Sequence, residues 1–247
     1  KISLIKKDSI DLIISCGRKS VIPSIFLKKN NPNIFTIHIQ DPKVNKKNFD
    51  IIIAPEHDNL KGDNILTSKG AIHYINVSEI NNAKSYLINK VNSQKIVSLI
   101  LGGPNKYYDF SSNQLIKIFN EVRLNFINKG FKIIVIPSMR TPRAIIDLAV
   151  KEFNNDGYVV NYVDKQAYLS ALALANYIVV TSDSTSMISE SATSGKPIFV
   201  AHMKAKKNNY RFKKFFELFK KMEITRDLGE KVEFWSYNKH NEAQRIA

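Results

Sequence analysis

The chain has 247 residues, and its 37 lysines and arginines exceed its 22 aspartates and glutamates, giving a formal net charge of +15. A hydrophobic fraction of 44% is enough for a packed core in one large domain or two small ones. No apolar run approaches the roughly 18–20 residues that a membrane helix requires. The single cysteine excludes an internal disulfide and favours a reducing, cytoplasmic compartment. No Cys/His cluster has zinc spacing, so we expect no metal.

The excess of positive charge has two interpretations. A basic surface attracts phosphates, nucleic acid or anionic lipid, so the protein is expected to be cytoplasmic or peripheral at the inner face of a membrane. Alternatively, lysine, asparagine and isoleucine are abundant simply because an AT-rich genome encodes them. No zinc finger, RNA-recognition signature or aromatic–basic interleaving is present, so nucleic acid is not an expected partner. The opening residues KISLIKKDS carry neither a methionine nor a signal-peptide pattern, and we expect the N-terminal part to be incomplete.

Short apolar, β-branched runs alternate along the chain with helical or polar segments. In the first series the predicted strands and extended pieces are residues 11–15, 34–39, 49–54, 62–66 and 71–74, and the predicted helices are 21–27 and 77–91. In the second series the predicted strands are 95–101, 131–136, 158–161, 177–180 and 198–200, and the predicted helices are 112–128, about 143–153, 167–175, 185–193 and 209–222. This pattern predicts an α/β protein with two Rossmann-like domains facing a cleft, residues 1–92 and 93–247. Residues 230–247 are predicted to form a C-terminal tail that ends in a short helix.

Polar loops follow three predicted strands of the second domain and are therefore expected at one edge of its sheet. The candidate nucleotide-binding residues in these loops and in the helix after the third loop are Gly102, Gly103, Lys106, Ser138, Arg140, Thr141, Ser182, Asp183, Ser184, Thr185 and Glu190. The diglycine allows the backbone to approach a bound group closely, although the loop is neither a P-loop nor GxGxxG. The free N–H groups at the start of the helix favour an anion.

The side chains in these loops suit a nucleoside diphosphate. Lys106 and the planar guanidinium of Arg140 would meet the phosphates, and the Glu190 carboxylate would accept hydrogen bonds from a ribose diol. Each residue also has a purely structural interpretation. Asp183 or Ser184 would then only cap the helix, and Glu190 and Arg140 would be ordinary surface residues.

The first domain contains the best candidates for acid–base chemistry. Glu56-His57-Asp58 follows a predicted strand, and a histidine titrates near neutral pH while a neighbouring carboxylate orients it. Asp41, after the preceding strand, is the alternative base. A structural interpretation makes Asp58 a turn cap and leaves His57 without a role. No GxSxG elbow is present, which argues against a serine hydrolase of that type.

The predicted helix at 209–222, NYRFKKFFELFKKM, is amphipathic, with phenylalanines on one side and lysines on the other. Core packing with a solvated basic face explains this pattern, and a basic helix that touches a membrane is the alternative.

The motifs CGRKS, QDP, FDIIIAPEHD, NILTSKGAIH, LGGPNKYY, PSMRTP, VTSDSTSMISESATSGKPIFV and RFKKFFELF occur in this order from about Asp11 onwards. Their order and spacing resemble the elongated-mitochondria (mitochondrial fission) protein family, which is similar to glycosyltransferases of the two-Rossmann-domain GT-B type. The family's usual glycine-rich N-terminal opening does not occur in this sequence.

The resemblance implies a GT-B fold in which Glu190 holds the nucleotide ribose and Ser184–Thr185 holds the diphosphate. It leaves two functions open. One is a transferase that moves a sugar from a nucleoside diphosphate sugar, bound by the second domain, to an acceptor, for instance a lipid-linked one, bound by the first. This transferase would need no cofactor or metal besides its donor substrate. The other is a non-catalytic adaptor that keeps the fold and binds a protein partner, as the plant member is understood to do.

Overall fold

The computed structural model describes residues 10–247 of the chain. It divides into two compact units, one reaching to Gly70 and including Ile246–Ala247, the other formed by Ala71–Arg245. Each unit is built around its own parallel β-sheet, with four described strands in the first unit and six in the second. The predicted fold class, an α/β protein of two Rossmann-like units, is confirmed.

The sheet of the first unit has its strands side by side in chain order, all parallel. Its elements are β1 (Leu12–Cys16), α1 (Arg18–Asn30), β2 (Phe35–Ile39), β3 (Ile51–Pro55) and β4 (Ile65–Ser68). Val21 of α1 packs with Phe49, Ile52 and Ala54, so the helix covers one face of the sheet. The loops after β2 and β3 therefore leave the same edge of the sheet, because these strands are parallel neighbours.

The second unit contains a sheet with the order β10-β9-β8-β5-β6-β7. Its strands are β5 (Ile96–Leu101), β6 (Lys132–Pro137), β7 (Gly157–Val159), β8 (Tyr177–Thr181), β9 (Ile198–Ala201) and β10 (Thr225–Asp227). The remaining helices are α2 (Val77–Asn82), α3 (Ser85–Val91), α4 (Ser112–Asn125), α5 (Arg143–Phe153), α6 (Lys165–Leu174), α7 (Thr185–Ala192), α8 (Tyr210–Lys221) and α9 (Glu242–Ile246).

The strand order reverses between β5 and β8. From β5 the chain builds outward through β6 and β7, then crosses back to β8 on the other side of β5 and continues to β9 and β10. In sheets of this kind, ligands bind outside the carboxyl ends of the strands at the point of reversal. The loops that follow β5 and β8 are therefore the place to look for a binding site.

The central strands are apolar because helices cover both faces of the sheet. Along β5, Val97 and Leu99 enter the core on one face, while Ile100 enters the core on the other face. The helix α8 behaves as the amphipathic pattern predicted, with Phe215 and Phe219 fully buried in the second of these cores.

The boundary between the units differs from the predicted one. The sequence placed it at residues 92–93, whereas the structure places it between Gly70 and Ala71. Ile80 of α2 and Leu87 of α3 are buried in the cores of the second unit. The periodicity of 77–91 identifies helical structure, but it does not reveal against which sheet that structure packs.

Several element boundaries also differ. The predicted helix at 77–91 is two helices separated at residues 83–84, residues 71–74 form no strand, and α1 extends well beyond 21–27 on both sides. The sequence did not predict β10. This strand has three residues, two of them charged, and it pairs only with β9 at the edge of the sheet, so it lacks the apolar run that marks a buried strand. None of the helices within residues 10–247 is long and apolar enough to cross a bilayer.

Candidate functional site

The diglycine after β5 is required by its neighbours in the second unit. A Cβ atom on Gly102 would lie 2.1 Å from a carboxylate oxygen of Asp183, and a Cβ on Gly103 would lie 2.0 Å from the backbone oxygen of Arg140. Any side chain at either position would overlap these atoms. The loops after β5, β6 and β8, which the sequence predicted to converge, are therefore in direct contact.

Asp183 holds these loops together. Its side chain is fully buried, and it accepts hydrogen bonds from the backbone N–H of Gly103 at 2.9 Å and from the Thr181 hydroxyl at 2.7 Å. Arg140 donates to the same carboxylate at 2.9 Å. Burial raises the pKa of Asp183, and these three donors act in the opposite direction. Asp183 therefore serves as an internal anchor for the loops.

The loop after β6 is fixed to the end of β5. Thr141 Oγ1 donates to the carbonyl of Leu101 at 3.0 Å and accepts from the backbone N–H of Ser138 at 2.8 Å. Arg140 donates to the carbonyl of Gly103 at 2.8 Å as well as to Asp183. Its side chain is 41% exposed, so the guanidinium lies at the surface of the candidate site with its charge paired to Asp183.

The turn after β8 leads directly into α7. Ser182 is fully buried, and its Oγ accepts from the backbone N–H of Met203 at 3.0 Å. Ser184 caps α7 by accepting from the backbone N–H of Met187 at 3.4 Å. Thr185 begins the helix and is partly exposed. Of the predicted residues in this turn, Ser184 and Thr185 are therefore the ones at the helix N-terminus. Ser182 instead holds the segment that follows β9, through its bond from Met203.

Glu190 lines a cavity of about 320 Å³ at the carboxyl ends of β5 and β6. Its Oε2 accepts a hydrogen bond from the Tyr168 hydroxyl at 2.9 Å, and among the described residues 10–247 its Oε1 has no hydrogen-bond partner. Burial raises the pKa of Glu190, and the bond from Tyr168 opposes that shift. The carboxylate is thus held in a fixed orientation with one oxygen available to a ligand.

The rest of this cavity is mostly apolar. Ile100, Ile136 and Met187 contribute to its wall together with the ring of Tyr74. Lys165 lies at the same cavity, with its Nζ 4.5 Å from the centre of the Tyr74 ring. A mostly apolar cavity with a few polar groups at its side is the usual form of a small-molecule binding site.

Lys106, the remaining predicted phosphate ligand, is exposed, and its Nζ lies 5.8 Å from the centre of the Tyr107 ring. Within the described part of the chain it pairs with no carboxylate, because the ion pairs found there do not include it.

The predicted acid–base residues lie in the first unit at the carboxyl edge of its sheet. His57 and Asp58 form a short 3-10 turn directly after β3, and His57 Nε2 lies 3.6 Å from Asp58 Oδ1. Both side chains are more than nine-tenths buried. Asp41 follows the neighbouring strand β2 and pairs with Lys43. His57 and Asp58 are thus within ion-pair distance, and the role of Asp58 in orienting His57 stays a prediction.

Within residues 10–247, no group of three or more histidine, cysteine, aspartate and glutamate side chains is placed to hold a metal ion.

Sequence reasoning missed three residues of the candidate site. Tyr168 orients Glu190, Thr181 links Gly102 to Asp183, and Asn105 donates to the backbone oxygen of Asp183 at 3.0 Å. Thr181 and Asn105 stand in the same polar loops as the predicted residues, so the polar composition of those loops could have identified them. Tyr168 lies on the preceding helix, and no local pattern distinguishes it.

The sequence model of one protein family, mitochondrial fission ELM1, matches residues 2–247. The chain belongs to the mitochondrial fission ELM1 family. A relative from Rickettsia prowazekii, "Uncharacterized protein RP120", is 26% identical over 99% of this chain and 80% of its own length. The "Mitochondrial fission protein ELM1" of Arabidopsis thaliana is 24% identical over 98% of this chain, which spans only 63% of the plant protein.

The fold of this ELM1-family chain is GT-B-like, as its sequence motifs implied. The structure of the UDP-GlcNAc 2-epimerase from Methanocaldococcus jannaschii is similar to it, with a TM-score of 0.52 at 14% identity, over 96% of this chain and 75% of the epimerase. At that identity the likeness concerns the fold alone.

Proposed function

We propose that the second unit binds a nucleoside diphosphate sugar, with the nucleoside in the Glu190 cavity and the diphosphate beside the loops after β5 and β8. The observation that carries this proposal is the partly buried Glu190 carboxylate, oriented by Tyr168 and open at Oε1 to a cavity at the carboxyl edge of the sheet. A carboxylate oxygen is the acceptor that a ribose hydroxyl needs.

The position of this carboxylate in the fold supports the proposal. The cavity lies where strands β5 and β6 end, next to the reversal between β5 and β8, which is where sheets of this order bind ligands. The free N–H groups at the start of α7 follow Ser184 on the same edge and favour a phosphate. The exposed Lys106 adds a positive charge to the loop after β5.

For the reaction, we propose transfer of the sugar to an acceptor bound by the first unit, with His57 as the general base and Asp58 orienting it. Asp41 is the alternative base. A base must take the proton from an acceptor hydroxyl as that oxygen attacks the sugar carbon and the nucleoside diphosphate departs. The N–H groups of α7 and the side chains of Lys106 and Arg140 would stabilise the charge on the departing diphosphate.

Calorimetric titration of the full chain with UDP, GDP, ADP and dTDP and their sugar conjugates tests nucleotide binding. Glu190→Gln removes the negative charge and keeps the shape, and we expect it to weaken binding of the preferred nucleotide by roughly 3- to 100-fold. Glu121→Gln is the matched control, because Glu121 is an exposed glutamate on α4 of the same unit. Turnover is then measured with whichever nucleotide sugar binds.

The second candidate function is a non-catalytic adaptor, which membership of the mitochondrial fission ELM1 family favours. An adaptor keeps the sheet and its loops for stability, so Glu190→Gln and Glu121→Gln would behave alike and none of the nucleotides would bind. That result would exclude the transferase and favour the adaptor.

A further inference from the structure

A second cavity in the same unit is separate from the Glu190 cavity. It has a volume of about 670 Å³, lies at the carboxyl end of β9 against α8, and shares no lining residue with the Glu190 cavity. Lys207, Asn209 and Lys213 line it, together with the rings of Tyr108 and Phe216.

The segment that forms this cavity is far more basic than the rest of the chain. Six of the eleven residues from 204 to 214 are lysine or arginine and none is acidic, whereas the whole chain has 37 such residues in 247. A general richness in lysine therefore does not account for the charge of this segment.

Neighbouring acidic groups neutralise only part of this charge. Asp109 pairs with Lys206 at 2.7 Å, and outside the segment Asp227 pairs with His202, another residue that lines the cavity, at 2.7 Å. Within the described part of the chain, neither Lys207 nor Lys213 has a carboxylate within ion-pair distance. Both of these lysines are exposed at the cavity, so their charges are available to an anion.

The backbone that carries the two lysines is held in place. Phe215 and Phe219 anchor α8 in the core, and the Phe212 ring packs 5.5 Å from the ring of Tyr108. The side-chain amide of Asn209 donates to the Tyr108 hydroxyl at 2.9 Å. Because one side of α8 is buried in the core, the exposed Lys213 lies on the other side of the helix. Lys207 is exposed in the segment just before it.

We propose that this cavity is a second anion site that binds the phosphate group of a ligand between Lys207 and Lys213. Ammonium groups bind phosphate as point charges, and the free N–H of an asparagine amide adds a donor. Met203 and Phe216 line the cavity beside these polar groups, so an apolar part of the ligand has a place next to its phosphate. The same chemistry is offered by a free phosphate compound and by the headgroup of an anionic lipid.

Two probes separate these sources on the full chain: titration with inorganic pyrophosphate, and co-sedimentation with phosphatidylcholine vesicles with and without phosphatidylglycerol. The test variant is Lys207→Ala/Lys213→Ala. The control is Lys117→Ala/Lys151→Ala, which removes the same charge from exposed positions on α4 and α5. A lysine near an anionic surface contributes about fivefold in affinity, so the test variant should lose roughly 25-fold and the control less than about twofold.

If the test variant loses pyrophosphate binding and the control variant keeps it, the result supports the site and identifies a soluble phosphate ligand. If the test variant loses binding to phosphatidylglycerol vesicles, the control variant keeps it and pyrophosphate does not bind, the result supports the site and identifies a lipid headgroup. The proposal is overturned if neither probe binds the wild type, or if the test and control variants lose affinity equally, since general charge would then explain the binding. Glu190→Gln should leave either result unchanged, so failure here is distinguishable from failure of the nucleotide site.

Discussion

Replacement of Asp183 by alanine should destabilise the second unit more than its single hydrogen bonds would suggest. The substitution leaves the N–H of Gly103 without its acceptor and removes the partner of Arg140. Breaking a buried ion pair from one side costs about 3–5 kcal/mol. The side chain of Arg140 is 41% exposed, so water can solvate its guanidinium once the carboxylate is gone. We therefore expect a loss in the free energy of unfolding at the lower end of that range, about 3 kcal/mol. For a unit of this size that corresponds to roughly 6–12 °C in melting temperature.

Urea unfolding followed by circular dichroism, with thermal melts alongside, measures this loss. Asp183→Asn keeps the size and one acceptor oxygen, so it should lose less than Asp183→Ala. The control is Asp147→Ala, whose partner Arg143 lies four residues earlier on α5, with both side chains more than half exposed. Such a pair contributes less than about 0.5 kcal/mol. If Asp183→Ala and Asp147→Ala unfold at the same urea concentration, Asp183 is not the anchor of these loops.

Three further predictions concern the proposed site. Gly103→Ala should destabilise the unit and weaken nucleotide binding, because its Cβ would lie 2.0 Å from the backbone oxygen of Arg140. An unchanged melting temperature and an unchanged nucleotide affinity would contradict the close approach of these two loops. Burial raises the pKa of Glu190, and the ionised form accepts the ribose hydroxyls, so nucleotide affinity should fall as the pH decreases through that raised value. Glu190→Gln should show no such pH dependence in calorimetry. A pH profile of affinity identical to that of the wild type would refute the role of the Glu190 carboxylate in ribose binding. His57→Ala should lower turnover by about 10²–10⁴-fold while calorimetry shows unchanged nucleotide affinity; full turnover would transfer the role to Asp41 or Asp58.

The sequence alone determined the fold class and most elements of the second unit. Strands such as IVSLIL at β5 and YIVVT at β8 are buried on both faces, so they appear as continuous apolar runs between turn residues. The polar loops after these strands were predicted to lie together, because parallel strands bring their carboxyl ends to one edge. In the structure, Gly102, Gly103, Arg140 and Asp183 are in contact.

Only the tertiary structure decided what each polar residue in those loops does. Ser182 and Asp183 carry the same signals as Ser184 and Thr185, yet the first two are buried supports and the latter two stand at the start of a helix. Whether a side chain turns inward depends on partners far away in sequence, such as the N–H of Gly103. A local pattern contains no information about those partners.

Dependence on partners that are distant in sequence also explains why the predicted domain boundary differs from the observed one and why Tyr168 was missed. The helical residues 77–91 belong to the second unit because Ile80 and Leu87 are buried in its cores, and periodicity alone does not choose between two apolar surfaces. Tyr168 orients Glu190 from a helix that precedes it by a full strand and turn. The sequence determined which segments become strands and helices and which loops share an edge, whereas burial in the folded chain decided which carboxylates hold the protein together and which face a cavity.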